Sequence, residues 1–363
     1  MTAIDDLYQA GTSTWLDDLS RERIATGNLA EVKDGKSIVG VTTNPAIFAA
    51  AMGSGNHYDE QLAELKQAGT TADAAVYAMS VKDVQDACDL FRDTYEATGG
   101  KDGRVSIEVD PRFAADEQKT IAQARELWQL VDRDNLMIKI PATDESLPAV
   151  TAALAEGISV NVTLIFSVER YQQVIDAYKD GIRKAAANGY DVSRIHSVAS
   201  FFVSRMDTEV DKRLEAIGTD EALALRGKAG IANARLAYAL FEREFGDVDV
   251  AKLPANANAQ RPLWASTGVK NPDYPATMYV TELAGPQTVN TMPEKTLDAV
   301  LRDGGVHGDT LTGTEAVSRE TFAALRGVGI DLDDVVAVLE REGVEKFVDA
   351  WQELLDSMTA RLA

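Results

Sequence analysis

The chain has 363 residues, of which 45% are apolar and 26% are charged, as expected for a folded protein with a sizeable core. Its 58 acidic and 36 basic residues give a formal net charge of −22, which argues against a nucleic-acid-binding protein. A small anionic substrate is still allowed, because a few local cations can make a pocket positive.

The cellular environment is inferred from one cysteine and two missing patterns. Cys88 has no partner for an intrachain disulfide, which favours a reducing compartment. The N-terminal segment lacks a basic stretch followed by an apolar run, and no apolar stretch is long enough to span a bilayer. We therefore expect a cytoplasmic protein with neither a signal peptide nor a membrane partner.

Short β-branched apolar runs alternate with longer helical patterns along the chain. The predicted strands are 14–19, 37–44, 104–110, 136–141, 159–166, 197–203, 262–267 and 278–284. Strands separated by helices indicate βαβ units and a parallel sheet. Eight such units predict an α/β fold, the (β/α)₈ TIM barrel, with an open doubly wound sheet as the alternative.

Two long connections have helical periodicity and are interpreted as helical insertions at about 50–103 and 205–261. No linker-like tract divides the chain, so we expect a single barrel domain over 1–363. An additional C-terminal helix is predicted at about 331–362, with Asp331 as its N-cap. The apolar stripe of this helix comprises Val344, Phe347, Val348, Trp351, Leu354, Leu355 and Met358. We expect the stripe to cover the outer layer or the rim of the barrel.

The fourth predicted strand places a lysine inside the barrel. Lys139 shares a face with Met137, whereas Ile138 and Ile140 form an apolar face suited to the helix layer. Alternate residues of a barrel strand point inward, so Lys139 is expected in the interior. A buried lysine is rare and costly unless it is paired or neutral.

Polar side chains are expected at the same end of the other strands. On the fifth strand, Asn161 and Thr163 face inward and Leu164 faces outward; on the seventh, Trp264 and Ser266 share a face. The set expected to converge near the carboxyl ends of the strands comprises Asp17, Asn44, Glu108, Lys139, Asn161, Thr163, Ser200 and Ser266. Barrel enzymes carry their chemistry at this end.

A lysine beside carboxylates and amides suits imine (Schiff base) chemistry. Burial favours the neutral, nucleophilic amine, and neighbouring carboxylates can carry protons. The alternative is a structural Lys–Glu ion pair, which leaves Asn44, Asn161 and Thr163 unexplained.

We expect no metal and no other cofactor. His57, His196 and His307 are scattered without ligand spacing. The glycine-containing segments 51–57 and 302–309 lack the strand–glycine–helix fingerprint of nucleotide sites.

Several segments, in order, resemble the transaldolase family. VTTNPAIF (41–48) resembles the signature on its second strand, and MIKIPAT (137–143) resembles the segment that holds its Schiff-base lysine. The further matching segments are WLDDLSR (15–21), SIEVDPR (106–112), NVTLIFS (161–167), SFFVSRMD (200–207), RPLWASTGVKNP (261–272) and TVNTMP (288–293). The resemblance covers nearly the whole chain and is to the longer bacterial and plant branch of these class I aldolase relatives.

The resemblance implies a role for each candidate residue. Lys139 would form the imine, Asp17 would remove the C4 hydroxyl proton, and Glu108 with Thr163 would position a proton-carrying water. The implied substrate-binding residues are Asn44 and Asn161 for the three-carbon fragment, Arg205, Ser200, Ser266 and Lys270 for the phosphate, and Phe202. For Arg205, a surface ion pair with Asp207 or Glu209 is the alternative.

The implied reaction transfers a dihydroxyacetone unit from sedoheptulose 7-phosphate to glyceraldehyde 3-phosphate, a step of the non-oxidative pentose phosphate pathway. Glu108 and Phe202 favour transfer over a fructose 6-phosphate aldolase, because the resemblance implies Gln and Tyr there in those shorter relatives. A non-catalytic sugar-phosphate-binding barrel and a fused or regulatory fragment are competing hypotheses. We expect a monomer or homodimer that binds small sugar phosphates.

Overall fold

The computed structural model describes residues 2–247 and 251–363, and in these residues eight parallel strands close into a barrel. The strands are β1 (Thr12–Asp17), β2 (Gly40–Thr42), β3 (Arg104–Glu108), β4 (Leu136–Pro141), β5 (Val160–Ile165), β6 (Ser197–Phe202), β7 (Arg261–Ala265) and β8 (Thr288–Met292). Each strand pairs with the next in sequence, and β8 pairs with β1. The closure confirms the predicted (β/α)₈ barrel and excludes the open sheet.

Helices surround the barrel. They are α1 (Ala3–Gln9), α2 (Arg21–Ala25), α3 (Asn28–Gly35), α4 (Pro45–Met52), α5 (Asp59–Gln67), α6 (Ala72–Leu90), α7 (Arg92–Ala97), α8 (Glu117–Val131), α9 (Leu147–Ala155), α10 (Val168–Ala187), α11 (Ser204–Ile217), α12 (Asp220–Leu223), α13 (Ala229–Phe245), α14 (Met278–Thr281), α15 (Glu294–Asp303), α16 (Glu315–Gly327) and α17 (Leu332–Leu362). Two 3₁₀ helices span Pro111–Phe113 and Val192–Arg194. No helix within the described ranges is long and apolar enough to cross a lipid bilayer.

The two long connections contain several of these helices. Helices α4 to α7 lie between β2 and β3, and α11 to α13 lie between β6 and β7. Residues 248–250, part of the insertion expected over 205–261, lie outside the described residues. That the chain forms one domain stays a prediction.

Alternation along the strands produces two apolar layers. On β4, Ile138 and Ile140 are buried among residues of the helix layer, whereas Met137 packs in the barrel interior with Trp15 and Val198. This is the division expected for a strand buried on both faces, and it fixes the direction of the inward side chains.

The strand register aligns the polar residues. Glu108 lies beside Lys139, and Lys139 lies beside Asn161, on three adjacent strands. Asp17 of β1 lies beside Thr42 of β2. Because parallel strands all end at the same rim, these inward side chains meet at the carboxyl end of the barrel.

The prediction of the eighth strand at 278–284 is wrong. Met278–Thr281 forms the short helix α14, and β8 lies at Thr288–Met292. In β8, Val289 and Thr291 point inward, while Asn290 donates from its side chain to the Tyr279 carbonyl at 3.0 Å. Polar side chains are buried on both faces of β8, so it lacks the apolar pattern of a strand. The 278–284 run is apolar because this connection is itself largely buried.

Two residues with positive φ break the predicted alternation. Leu164, with φ of +61° at an irregularity in the β5–β6 pairing, packs with the interior group that contains Phe166, so its predicted outward orientation is wrong. Trp264 packs edge-on against Phe201 in the outer layer, so it does not share an inward face with Ser266. Ser266 nevertheless reaches the barrel mouth, because its φ of +55° takes it out of the two-residue alternation.

The last helix lies across the carboxyl end of the barrel. Helix α17 begins after Asp331, whose side chain accepts a hydrogen bond from the Asp334 amide at 3.1 Å, as predicted for an N-cap. It packs on α4, α6 and α11 and contacts β5. The helix therefore covers part of the rim where the polar side chains meet.

Candidate active site

A cavity of about 260 Å³ opens at the carboxyl ends of the strands. The predicted site residues that line it are Asp17, Asn44, Lys139, Ser200, Phe202, Arg205, Ser266 and Lys270. The other three are buried in the same part of the barrel: Glu108 and Asn161 lie beside Lys139, and Thr163 lies beside Pro141. The structure thus brings together the residues predicted from scattered segments of the sequence.

Lys139 is buried in the barrel interior and lines the cavity, with 6% of its side chain exposed. Its Nζ donates to the Thr43 carbonyl oxygen at 2.8 Å and lies 3.5 Å from Glu108 Oε2. The ring centre of Phe347 is 5.8 Å from the same nitrogen. The amine therefore has one short hydrogen bond, one carboxylate neighbour and one aromatic neighbour.

Glu108 is a buried carboxyl group beside Lys139. Burial raises its pKa to about 7, against the opposing effect of the Lys139 charge. Among the described residues, neither oxygen of Glu108 nor Oγ1 of Thr163 has a hydrogen-bond partner. A carboxyl group that titrates near neutral pH can both donate and accept a proton.

Asp17 is held in one orientation by its neighbour on β2. Thr42 donates its hydroxyl to Asp17 Oδ1 at 2.8 Å. Burial raises the pKa of Asp17, although the Lys139 charge and the Thr42 hydrogen bond oppose the shift. The result is an oriented carboxyl group that faces the cavity and suits a general base.

The two asparagines are oriented by different contacts. Asn161 donates from Nδ2 to Ser106 at 3.1 Å and accepts at Oδ1 from the Ser200 hydroxyl at 2.7 Å. Asn44 is the N-cap of α4, where its Oδ1 accepts from the Ile47 amide at 3.0 Å. The cap leaves the Asn44 side-chain NH₂ as a donor for the cavity that the residue lines.

Arg205 presents a guanidinium group without a carboxylate partner. Its carbon Cζ lies 5.0 Å from the centre of the Phe202 ring, and its Nη1 is buried without a hydrogen-bond partner in the described part of the chain. Asp207 instead accepts from Tyr279 at 2.6 Å, and Glu209 pairs with Arg213 at 2.8 Å. The alternative of a surface ion pair for Arg205 is therefore wrong.

Ser266 and Lys270 line the same cavity as Arg205. The Ser266 hydroxyl is 2.8 Å from that of Ser204, and the Ser204 amide donates to the Ser266 carbonyl at 3.0 Å. These bonds join the end of β7 to the start of α11, which carries Arg205. The local concentration of hydrogen-bond donors and positive charge suits a phosphate group.

Sequence reasoning missed several contributors to the site. Thr42 orients Asp17, and its sequence signal is its position two residues before Asn44, on the same face. The Thr43 carbonyl carries no side-chain signal. Lys346 and Phe347 line the cavity from α17; in the sequence, Phe347 is visible only as part of an apolar stripe.

The histidines and acidic residues of the described chain do not form a metal site. In the ranges 2–247 and 251–363, no group of three or more His, Cys, Asp or Glu residues is arranged to hold a metal ion. Half-buried His196 has its pKa lowered by desolvation to about 3 and is therefore neutral.

A closed (β/α)₈ barrel with a buried lysine beside a carboxyl group at its catalytic end is the arrangement expected of an enzyme that forms imines with carbonyl substrates. Residues 14–358 match the model of the family described as transaldolase/fructose-6-phosphate aldolase. The chain belongs to this family, which confirms the resemblance found in the sequence.

Similar curated proteins carry the name transaldolase. The protein from Mycolicibacterium smegmatis is 62% identical over 357 residues, which cover 98% of this chain and 96% of that protein. The one from Mycolicibacterium paratuberculosis is 61% identical over 358 residues, and the one from Mycobacterium leprae is 60% identical over 358 residues. In both of these cases, too, the match covers 98% of this chain and 96% of the relative.

Proposed function

We propose that this chain is a transaldolase that moves a dihydroxyacetone unit between sugar phosphates through an imine on Lys139. The observation that carries the proposal is the Lys139 amine, buried at the cavity 3.5 Å from Glu108 in a barrel of the matching family. The donor is sedoheptulose 7-phosphate and the acceptor glyceraldehyde 3-phosphate, which gives erythrose 4-phosphate and fructose 6-phosphate.

The first step joins Lys139 to the ketose. Its Nζ attacks the C2 carbonyl carbon, and loss of water from the resulting carbinolamine leaves the protonated imine. Glu108, whose pKa burial raises to about 7, is suited to give a proton to the departing hydroxyl and to take one from the amine. Thr163, whose hydroxyl has no hydrogen-bond partner among the described residues, would help to hold the water that carries these protons.

Cleavage follows when Asp17 removes the proton of the C4 hydroxyl. The C3–C4 bond breaks, the C4 oxygen becomes the aldehyde of the departing aldose phosphate, and the electron pair moves into the protonated imine to form an enamine. The hydrogen bond from Thr42 holds the Asp17 carboxylate in place for this task. Addition of the acceptor is the reverse sequence with a different aldose.

The same geometry supports the proposed substrate-binding residues. Asn44 and Asn161 would bind the hydroxyls of the three-carbon fragment, because both lie close to Lys139 and have fixed amide orientations. The unpaired guanidinium of Arg205, with Ser200, Ser266 and Lys270, would bind the phosphate.

A fructose 6-phosphate aldolase is the second candidate, because the matching family model includes both activities. It would form the same imine but release free dihydroxyacetone. Glu108 and Phe202 favour transfer, as does the name transaldolase of the relatives at about 60% identity. Fructose 6-phosphate supplied without an acceptor should yield little free dihydroxyacetone; rapid release at steady state would favour the aldolase.

Borohydride reduction in the presence of fructose 6-phosphate tests the central proposal. Reduction of the imine should leave a stable adduct on Lys139, located by peptide mass analysis. Lys179→Met is a matched control. Lys179 on α10 is also a buried lysine, but it pairs with Glu244 at 2.6 Å and does not line the cavity. An unmodified Lys139 in folded protein would contradict the imine mechanism and favour a non-catalytic barrel.

Two further expectations accompany this proposal. We expect the protein to act in the cytoplasm and as a monomer or homodimer; both stay predictions.

A further inference from the structure

The middle of helix α17 forms one wall of the cavity. Lys346, Phe347 and Ala350 line it, although they lie far along the chain from the strands that carry Lys139 and its neighbours. Phe347 is only 7% exposed and packs in the same apolar group as Met137 and Phe202. The wall that faces the reactive amine is therefore partly aromatic.

Helix α17 forms an ion pair with a neighbouring helix near each of its ends. Arg213 pairs with Asp334 at 2.7 Å near its start, and Arg361 pairs with Asp59 at 2.7 Å near its end. Between them, Gly343 lies against Phe166, where a Cβ atom would come within 3.0 Å of the ring. The missing side chain lets the helix approach β5 closely, which sets how far the next turn enters the cavity.

That next turn brings Phe347 to the Lys139 amine. The ring centre lies 5.8 Å from Nζ, within the range at which an aromatic ring attracts a cation. The other neighbours of the amine are polar, with the Thr43 carbonyl at 2.8 Å and Glu108 at 3.5 Å. Lys139 thus has one carboxyl group that can exchange protons with it, one carbonyl oxygen that accepts its hydrogen bond, and one bulky aromatic neighbour.

The enamine left after cleavage has two fates. In transfer, its C3 bonds to the carbonyl carbon of the acceptor aldose, whose oxygen takes up a proton. In hydrolysis, C3 takes a proton instead, water adds to C2 of the resulting imine, and the C2–N bond breaks. Dihydroxyacetone then leaves and the Lys139 amine is restored. Access of water to C3 before the acceptor arrives therefore decides between transferase and aldolase.

We infer that Phe347 controls this partition by covering the Lys139 enamine against bulk water. The inference rests on the proposed function, since it requires an enamine on Lys139. It gives α17 a part in the reaction in addition to its packing on the rim. The aromatic face also favours the cationic imine that precedes and follows the enamine.

A graded series at Phe347 tests the inference. The variants Phe347→Leu, Phe347→Val and Phe347→Ala remove progressively more of the cover. With fructose 6-phosphate as donor and erythrose 4-phosphate as acceptor, the ratio of free dihydroxyacetone to sedoheptulose 7-phosphate is measured. We expect this ratio to rise along the series and to reach about fivefold above the unaltered protein in Phe347→Ala. Should the alanine variant fail to fold, Phe347→Val must still raise the ratio.

Leu339→Ala is the matched control. Leu339 is 5% exposed on the same helix and in the same apolar group, but it does not line the cavity. This variant should lose thermal stability and keep the ratio unchanged; an equal rise would attribute the effect to loosened packing and overturn the inference. An unchanged ratio throughout a folded Phe347 series that still forms the Lys139 adduct also overturns it. Absence of the adduct in the unaltered protein would contradict the proposed function instead.

Discussion

The barrel has a buried ion pair at each end, and the two pairs differ in how completely they are hydrogen-bonded. At the amino-terminal end, Asp102 accepts at Oδ1 from Arg261 at 3.1 Å and from Trp15 Nε1 at 3.0 Å. Its Oδ2 accepts from the Ser13 hydroxyl at 2.8 Å. Every oxygen of this carboxylate is thus bonded to a neighbouring side chain.

The pair at the carboxyl end, Lys139–Glu108, has unused hydrogen-bonding capacity and is called the open pair. Lys139 and Glu108 lie 3.5 Å apart, and within the described residues neither Glu108 oxygen has a hydrogen-bond partner. Both side chains are about as buried as that of Arg261. Burial alone therefore does not distinguish the two pairs.

The difference supports the proposal that the amino-terminal pair serves stability and the carboxyl-terminal pair serves chemistry. A buried charge needs a full set of partners if it is to support the fold, and the Asp102–Arg261 pair has them. Unused hydrogen-bonding capacity and a shifted pKa mark groups available to a substrate. The pairs also differ in what happens when one member is removed. Without Lys139, Glu108 can take up a proton and become neutral, whereas Arg261 without Asp102 cannot release its proton.

The largest effect is expected from Lys139→Met. It removes the nucleophile, so we expect transaldolase turnover to fall by at least about 10⁴-fold, measured as release of erythrose 4-phosphate. The protein should remain folded, because the Glu108 left behind can become protonated. Lys179→Met should keep its turnover, and comparable activity in Lys139→Met would show that the open pair is not the reactive one.

Asp102→Ala should reduce the stability of the protein and leave its kinetics unchanged. It leaves the Arg261 guanidinium buried without its carboxylate, and we expect the free energy of unfolding to fall by about 3–5 kcal/mol in urea titrations. The kcat/KM of the fraction that remains folded should be unchanged, because Asp102 lies at the end of the barrel away from the cavity. A stable variant with damaged kinetics would reverse the roles assigned to the two ends.

How well the sequence predicts each strand depends on how regularly polar and apolar residues alternate along it. In β4, Ile138 and Ile140 alternate with Met137 and Lys139, and the predicted bounds 136–141 agree with the structure. β8 is polar on both faces, so the period-two signal is absent and the neighbouring apolar segment has the stronger strand pattern. The inward position of Lys139 could therefore be predicted, whereas the strand that closes the barrel could not.

Backbone irregularities and contacts between distant segments also limit what can be predicted from the sequence. The positive φ of Leu164 and Ser266 moves each side chain away from the face given by simple alternation. The approach of Phe347 to Lys139 depends on the whole course of α17 across the rim. Neither feature follows from local periodicity, although the apolar stripe does indicate that α17 is packed on one side.

A smaller effect, confined to substrate binding, is expected at Arg205. Replacement by Met keeps the contact with Phe202 but removes the charge, so the KM for fructose 6-phosphate should rise by roughly 10- to 100-fold while kcat changes little. Arg319→Met on α16, an exposed site outside this cavity, serves as the control. Equal losses with fructose 6-phosphate and unphosphorylated fructose would contradict phosphate binding by Arg205.

The smallest effect is a change in the pH dependence of stability. The pKa of Glu108 is raised from 4.5 to about 7 by burial, so between these pH values the folded protein keeps a proton that the unfolded chain releases. The unfolded state then binds fewer protons at this residue, and the free energy of unfolding contributed by it must fall as the pH rises through this window. Above the window, the contribution is constant.

Glu108→Gln isolates this contribution because it removes the titration and keeps the size of the side chain. The free energy of unfolding of the variant relative to the unaltered protein should increase between pH 5 and pH 8, by on the order of 1–3 kcal/mol in urea titrations. All other titrating groups are common to both proteins and largely cancel in the difference. Parallel stability curves would mean that Glu108 ionises alike in the folded and unfolded chain, and the open pair would then lose the electrostatic property that separates it from the Asp102–Arg261 pair.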